Sequence, residues 1–410
     1  MCAVMKALRL HRKVEEGALL GAPDLEVAPT EYPSTDAILE SHAESAEPLP
    51  LKADRLVSLD AFRGLTVLLM LIVNNVALDS DVPDALTHSA WNQGLRLADY
   101  VFPWFLLCAG LAIPYSFASF AKTGLPNWRM DLRILTRSTV LFILGVLVNC
   151  AIDRKLYFSL GVLQLIGMAY LVAALAYELP PVRRVIIAVI LLGSYALAIK
   201  FLPIPGSPMG SFTEDANFFG HINTTYLLIY NIDGLFSMIP TGALLIIASL
   251  VGDVLMSKRL GPFSKVGVLG IVGIAMAGLG IWSSLWIPYN KPIWTPSYIL
   301  LTGGVGFLFL GAFYCITDLL KFRFWVIPLV VFGSNAILAY CLPVFLKLTV
   351  LTVWTIDTPK GKIPLQQAFV DSLVSHFGRV TGGWTYTGIF IGAWWVVLFI
   401  LYRRRLLFRL

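Results

Sequence analysis

The sequence predicts an all-α polytopic membrane protein, a bundle of about ten transmembrane helices with both termini on the cytoplasmic side. Three observations carry that expectation. Of 410 residues, 57% are hydrophobic and only 14% charged, against roughly 45–50% and ~25% in an ordinary soluble domain. Apolar runs close to the ~20 residues that a spanning helix needs recur along most of the chain. Lys and Arg gather in alternate loops between those runs, as they do in cytoplasmic loops. This composition excludes an ordinary cytosolic enzyme, a disordered protein and a disulfide scaffold. The short alternating segments of a transmembrane β-barrel do not dominate. The net charge of +6 is accounted for by the loop clusters, so membrane lipid is the expected partner and nucleic acid is not.

Taken in order, residues 1–52 form the first region. A basic start (Lys6, Arg9, Arg12, Lys13) precedes nine acidic residues between Glu15 and Glu47 with no Lys or Arg among them. Such a stretch cannot bury a core and is expected to be a disordered cytoplasmic tail, with no signal peptide. Residues 53–410 are the membrane domain. Its spans are expected at Val57–Ala77, Leu97–Phe120, Ile134–Cys150, Leu156–Tyr177, Val182–Leu202, Leu235–Met256, Val266–Trp286, Tyr298–Leu320, Trp325–Leu346 and Trp384–Tyr402. The third and fourth are parted by little more than Asp153, Arg154 and Lys155.

One set of loops carries Arg55; Lys122, Arg129, Arg133 and Arg137; Arg183 and Arg184; Lys258, Arg259 and Lys265; Lys321 and Arg323; and Arg403 to Arg405 with Arg409. The alternate loops carry Asp79, Asp81 and Asp84 against Arg96, or Glu214, Asp215 and Asp233 with no base. The Asp153–Lys155 loop and the long Lys347–Arg379 loop are mixed. The alternation puts the first set in the cytoplasm and Asp79–Arg96 outside.

Polar side chains are costly in lipid, so each is a functional candidate. Asp60 and Arg63 open the first span, three residues apart on one helix face. They form either a local ion pair or a guanidinium fork for a phosphate or carboxylate. Asn74 and Asn75 close the same span, as caps or as an amide for an oxyanion. His88 stands just before the second span, in Thr87-His88-Ser89-Ala90-Trp91-Asn92, with Arg96 and Asp99 beyond. An imidazole, with an ordinary pKa of ~6.5, suits proton transfer. Gln164 lies deep in an apolar run, where helix–helix glue is the plain alternative. Asn231, Asp233 and Gly234, then Asn290, Lys291, Trp294, Ser297 and Tyr298, then Gly333, Asn335 and Tyr340, form three further polar groups that caps and loop solvation would also explain. The five cysteines have no metal-ligand spacing, and no metal site is expected.

Together these segments resemble the catalytic membrane domain of the heparan-α-glucosaminide N-acetyltransferase family and its bacterial relatives. The resemblance rests on Arg55-Leu-Val-Ser-Leu-Asp-Ala-Phe-Arg-Gly64, His88-Ser-Ala-Trp-Asn92, Leu97-Ala-Asp-Tyr-Val-Phe-Pro-Trp-Phe105, Gly161-Val-Leu-Gln164, Asp233-Gly234, Asn290-Lys-Pro-Ile-Trp294, Gly333-Ser-Asn335 and Leu401-Tyr402-Arg403. It implies a transmembrane acetyltransferase in a bacterial inner membrane. Such an enzyme takes acetyl from cytoplasmic acetyl-CoA, a co-substrate, and delivers it to an extracytoplasmic amino sugar or glycan. It places the active-site histidine on His88 and its asparagine on Asn74. Donor binding is expected at Arg63, Asp60 and Gln164, and acceptor binding at Trp91, Asn92, Asp99, Asp233 and Asn335. A second copy of the chain is a candidate partner. The chain departs from the family at Leu165, where an arginine is common, and at Pro343, where a histidine is common; heparan itself is therefore not the expected acceptor.

On this reading CoA phosphates sit near Arg63, and the pantetheine arm reaches toward His88. The imidazole either takes a proton from the acceptor or carries the acetyl group itself. Asp99 is placed to orient it. A membrane O-acyltransferase of surface polysaccharide and a transporter are the rival readings. A transporter predicts repeated halves and discontinuous helices, and neither is visible in the sequence.

Overall fold

The computed structural model describes residues 56–78, 81–358 and 361–406. The tail expected over residues 1–52 lies outside the described residues, as do Arg55, Asp79 and Arg409. The membrane domain is built from α1 (Val57–Asn75), α2 (Leu97–Ala121), α3 (Trp128–Asp153), α4 (Val162–Tyr177), α5 (Pro181–Phe201), α6 (Met238–Met256), α7 (Pro262–Ser284), α8 (Pro296–Tyr314), α9 (Ile327–Ser334), α10 (Ala336–Leu346), α11 (Leu365–Phe377) and α12 (Arg379–Arg403). Prolines at the first turns of α5, α7 and α8 sit where a missing N–H costs nothing.

Each of the ten apolar runs falls on helix. Among the described residues eight helices are long and apolar enough to cross a membrane, which makes this an all-α polytopic membrane protein. Two runs differ from expectation. The fourth run is helical only from Val162, so α4 has 16 residues. The residues before it are held as a loop instead. Cys150 Sγ donates to the Tyr157 carbonyl (3.2 Å), Asn149 Nδ2 to Ser159 Oγ (2.9 Å) and Gln164 Nε2 to the Ser159 carbonyl (3.0 Å). Gly161 caps the helix in an extended conformation.

The ninth run is discontinuous, contrary to the unbroken span that hydropathy suggests. Phe324–Ser334 and Ala336–Leu351 meet at a 67° bend. Asn335 leaves helical geometry there (φ −128°, ψ 46°), and its amide donates to the Leu406 carbonyl at 3.2 Å. Pro343 inside α10 removes one more helical donor. The 347–379 segment folds as a hairpin, β1 (Thr355–Thr358) against β2 (Gly361–Pro364), followed by α11.

Four helices are central. Over their most apolar stretches α1, α2, α6 and α8 are 50%, 56%, 67% and 56% buried, whereas α3, α5, α7 and α12 are only 22–28% buried and present Leu, Ile and Val outward. Small residues let the inner backbones approach, as membrane helix pairs require without a hydrophobic drive between them. The tightest approach joins α1 to α9. A Cβ at Gly64 would overlap the Leu329 carbonyl oxygen, and one at Gly333 the Asp60 carbonyl oxygen. Two motifs some 270 residues apart in sequence are thereby interlocked.

Helix α1 defines two ends of the bundle. At the Arg63 end, the Ser58 N–H donates to Asp318 Oδ2 (3.0 Å), and Asp318 pairs with Arg323 (3.6 Å). At the other end, Lys347 Nζ donates to the Asn74 carbonyl (3.2 Å), and Asp81 pairs with Arg379 at 3.0 Å. Arg63 and Asn74 are eleven residues apart, or about 16 Å along a helix at ~1.5 Å per residue.

Candidate active site

At the Asn74 end, three ionisable side chains meet. Asp99 stands in the first turn of α2, where the helix dipole favours a carboxylate. It is fully buried. Its Oδ2 accepts from the Arg96 N–H (3.0 Å), the Ser89 N–H (3.2 Å) and Ser89 Oγ (2.8 Å). Its Oδ1 lies 3.0 Å from His88 Nδ1 and 3.4 Å from Lys291 Nζ. Lys291 Nζ in turn lies 2.8 Å from His88 Nδ1 and 3.3 Å from Nε2. The imidazole is half exposed and the lysine side chain 22% exposed. Burial pushes the Lys291 ammonium down from the ordinary lysine range, and the Asp99 carboxylate opposes that push.

Local sequence explains the arrangement. The Ser89 N–H and hydroxyl both clamp Asp99, which fixes the preceding His88 beside it. Thr87 is held by the Arg96 guanidinium, which also pairs with Asp84 at 3.6 Å. Lys291 rides on a cross-linked turn. The Asn290 N–H donates to Thr295 Oγ1 (3.0 Å) and the Ile293 N–H to Asn290 Oδ1 (3.1 Å). Tyr298 donates to the Asp99 carbonyl at 2.6 Å, tying that turn and α8 to the start of α2.

His88, Asn74 and Lys291 line one cavity of about 150 Å³, together with Met70, Val73, Ala98, Val101, Phe102, Val162 and Tyr340. The other expected acceptor residues lie elsewhere. Trp91 and Asn92 both reach the Phe212 carbonyl (3.5 and 3.3 Å), and Trp91 packs on the cluster of Tyr195, Ile199, Phe219, Ile287 and Ile293. They anchor the loop between α5 and α6. Asp233 is exposed on that loop. Asn335 is buried at the α9–α10 break. Asp99 gives its oxygens to protein groups and is sealed from the cavity.

A larger cavity of about 350 Å³ opens at the Arg63 end, lined by Asp60, Arg63, Arg133, Arg137, Tyr115, Ser116 and Ser119 among others. Arg63 pairs with Asp60 at 3.5 Å. Arg137 stacks over Tyr170 (4.5 Å), and its Nε is buried without a hydrogen-bond partner. Three guanidiniums facing one carboxylate, with a buried N–H unspent, form a surplus of donors suited to an anion. Gln164 does not line this cavity. It is fully buried at the α3–α4 contact against Gly145, with Oε1 unpartnered; its neighbours Leu163 and Ile166 form the cavity wall.

Both cavities are lined from α1, α2, α4 and α10, by different residues: Met70, Phe102, Val162 and Tyr340 line the smaller one, and Arg63, Phe105, Leu163 and Ile337 the larger. At ~1.5 Å per residue the nearest lining residues are about 4.5 Å apart along α2 and α10 and about 10 Å apart along α1. The sequence marked Lys291 and Tyr340 only within polar groups that caps and loop solvation would also explain, and gave Arg133 and Arg137 no site role. Lys291 sat within a polar motif, and the arginines were counted only as loop charge, although Arg133 and Arg137 lie i,i+4 on one face of α3.

The fold and these cavities define the class, a multi-pass helical membrane protein with a His–Asp–Lys cluster at one end and an arginine-lined cavity at the other. Residues 55–219 match the family model described as heparan-alpha-glucosaminide N-acetyltransferase, catalytic. The heparan-alpha-glucosaminide N-acetyltransferase of Mus musculus is 26% identical over 353 residues, 70% of this chain and 53% of the relative. That of Homo sapiens is 24% identical over 421 residues, 87% of this chain and 60% of the relative. The chain is related at the level of family to these acetyltransferases, and it spans little more than half the length of the curated relatives it matches.

Proposed function

We propose that this protein transfers an acetyl group from acetyl-CoA, held at the Arg63 end, to an amine of an amino sugar or glycan that reaches His88 from the other end. The basic loops support a cytoplasmic Arg63 end with His88 on the far side, and a bacterial inner membrane suits that orientation. The observation that carries the reading is that the same four helices, α1, α2, α4 and α10, line both cavities. That arrangement lets the anionic head of the donor and its thioester occupy opposite ends of one path.

The residues fit the donor. Arg63, Arg133 and Arg137 offer guanidinium forks to phosphate oxygens, and the free Arg137 Nε is a donor with nothing else to bond. The pantetheine arm then passes Phe105 and Phe102. The thioester carbonyl arrives beside Asn74, whose amide stabilises the oxyanion that forms on attack. Asp99 takes the Nδ1–H of His88, so Nε2 is the basic nitrogen. It removes a proton as the acceptor nitrogen attacks the carbonyl carbon. The C–S bond then breaks, and the imidazolium returns the proton to the CoA thiolate. Asp99 is a positioning residue here, for it touches His88 and not the acceptor.

The 67° break at Asn335 favours a second reading, a carrier, because discontinuous helices line transport paths. One experiment separates the two. Purified protein is mixed with acetyl-CoA and a panel of amino sugars, and free thiol is followed. Acceptor-dependent thiol release that disappears in His88→Ala supports the enzyme. Binding or counterflow of the sugar with no thiol release at any acceptor concentration supports the carrier.

A further inference from the structure

We propose that Lys291 is a self-acetylation site: without an acceptor, the acetyl group passes to its amine. This rests on the acetyl-transfer reading and adds to it an internal competitor for the acceptor.

The geometry is that of a substrate amine. A general base must stand about 2.6–3.2 Å from the nitrogen it deprotonates. Lys291 Nζ stands 3.3 Å from His88 Nε2, the nitrogen left basic when Nδ1–H binds Asp99, at the outer edge of that range, and it lines the same cavity as His88 and Asn74. A flexible four-carbon stem lets it follow the imidazole. Two effects set its reactivity. Burial moves the amine toward its neutral, nucleophilic form, and the Asp99 carboxylate 3.4 Å away holds it as ammonium. Lys347, on the carbonyl of Asn74 at 3.2 Å, is an internal control near the same cavity without the histidine contact.

The step balances. Lys291 ammonium first gives one proton to solvent. The neutral amine attacks the thioester carbonyl, a C–N bond forms and the C–S bond breaks. The second proton travels through His88 to sulfur, leaving CoA thiol and N-acetyllysine. The product has no positive charge, so it cannot pair with Asp99, and its amide occupies the place of the acceptor amine. An accepted sugar must displace Lys291 from the imidazole, and saturating acceptor protects it.

The test uses the full chain in lipid nanodiscs, incubated with acetyl-CoA alone. Hydroxylamine then strips any acetyl-imidazole, and peptide mass spectrometry locates the stable acetyl amide. The expected result is acetylation of Lys291 ahead of Lys347, faster as pH rises because only the neutral amine attacks. His88→Ala should slow it at least ~100-fold, the lower range of general-base assistance, and an accepted amino sugar should suppress it. Protein that acetylates a sugar while Lys291 stays unmodified overturns the proposal. A parallel arm uses N-acetylimidazole, a small donor that needs no CoA site. Preferential labelling of Lys291 there, with no reaction from acetyl-CoA, upholds the reactive amine and removes the CoA reading. No labelling of Lys291 in either arm overturns the proposal.

Discussion

At the His88 end the carboxylate, imidazole and ammonium are partnered with one another, whereas at the Arg63 end three guanidiniums face one carboxylate and a buried Arg137 N–H has no partner. The first cluster is self-neutralising and rigidly capped, as a proton-transfer group must be. The second carries more guanidinium than carboxylate charge, an excess that an incoming anion would offset. A burial cost that is high for an unpaired charge is tolerable where a phosphate completes the site. The comparison assigns chemistry to one end and binding to the other, and each variant below moves one without the other.

His88→Ala is the largest expected effect. Loss of the base should lower kcat by about 10²–10⁴, while KM for acetyl-CoA stays put because His88 does not line the Arg63 cavity. Steady-state kinetics against both substrates measures this. A KM that rises with an unchanged kcat would reverse the assignment of the two ends. Asp99→Asn comes next, about 10²-fold in kcat, because an amide in that place can donate to Nδ1 and select the wrong tautomer. The variant keeps the shape of the buried cap. A fall in thermal stability with full kcat in the folded fraction would make Asp99 purely structural.

Arg137→Met, alone or with Arg133→Met, should act at the opposite end. A hydrogen bond to a charged group contributes about 1.5–3 kcal/mol, so KM for acetyl-CoA should rise roughly 10–100-fold with kcat little changed. The wild-type KM should also rise with salt, and the double variant should lose that dependence. Kinetics at two ionic strengths checks both statements.

The balance of what was legible in the sequence follows from the range of the forces involved. Each of the ten apolar runs reported helix because lipid burial is a property of composition. Asp99 beside His88 was legible because only eleven residues separate them, on the loop that leads into α2. Lys291 was not, because its partner is 203 residues away and nothing local marks a lysine in a loop as bound. The interlock of Gly64 with Gly333 and the bend at Asn335 are also tertiary. Hydropathy averages across such a break, and only the backbone, with its 67° bend and Asn335 out of helical geometry, reveals it. Trp91, Asn92, Asp233 and Asn335 drew notice as polar groups in an apolar chain. Three-dimensional packing spends Trp91 and Asn92 on a loop and Asn335 on a kink.

Trp91→Ala gives the smallest effect and refines the boundary of the His88 end. The indole stacks near Phe212 (5.6 Å) and donates to its carbonyl, so its removal loosens the 203–237 loop without touching the His88–Asp99 contact. The expected outcome is a KM for the acceptor raised a few-fold, about 1 kcal/mol for one lost hydrogen bond, with kcat and the acetyl-CoA KM unchanged. Hydrogen exchange should quicken in residues 210–220 and not at Ser89 or Arg96. A kcat loss approaching that of His88→Ala would place Trp91 against the reacting atoms, and the His88 cavity would then have to extend beneath the loop that this side chain holds.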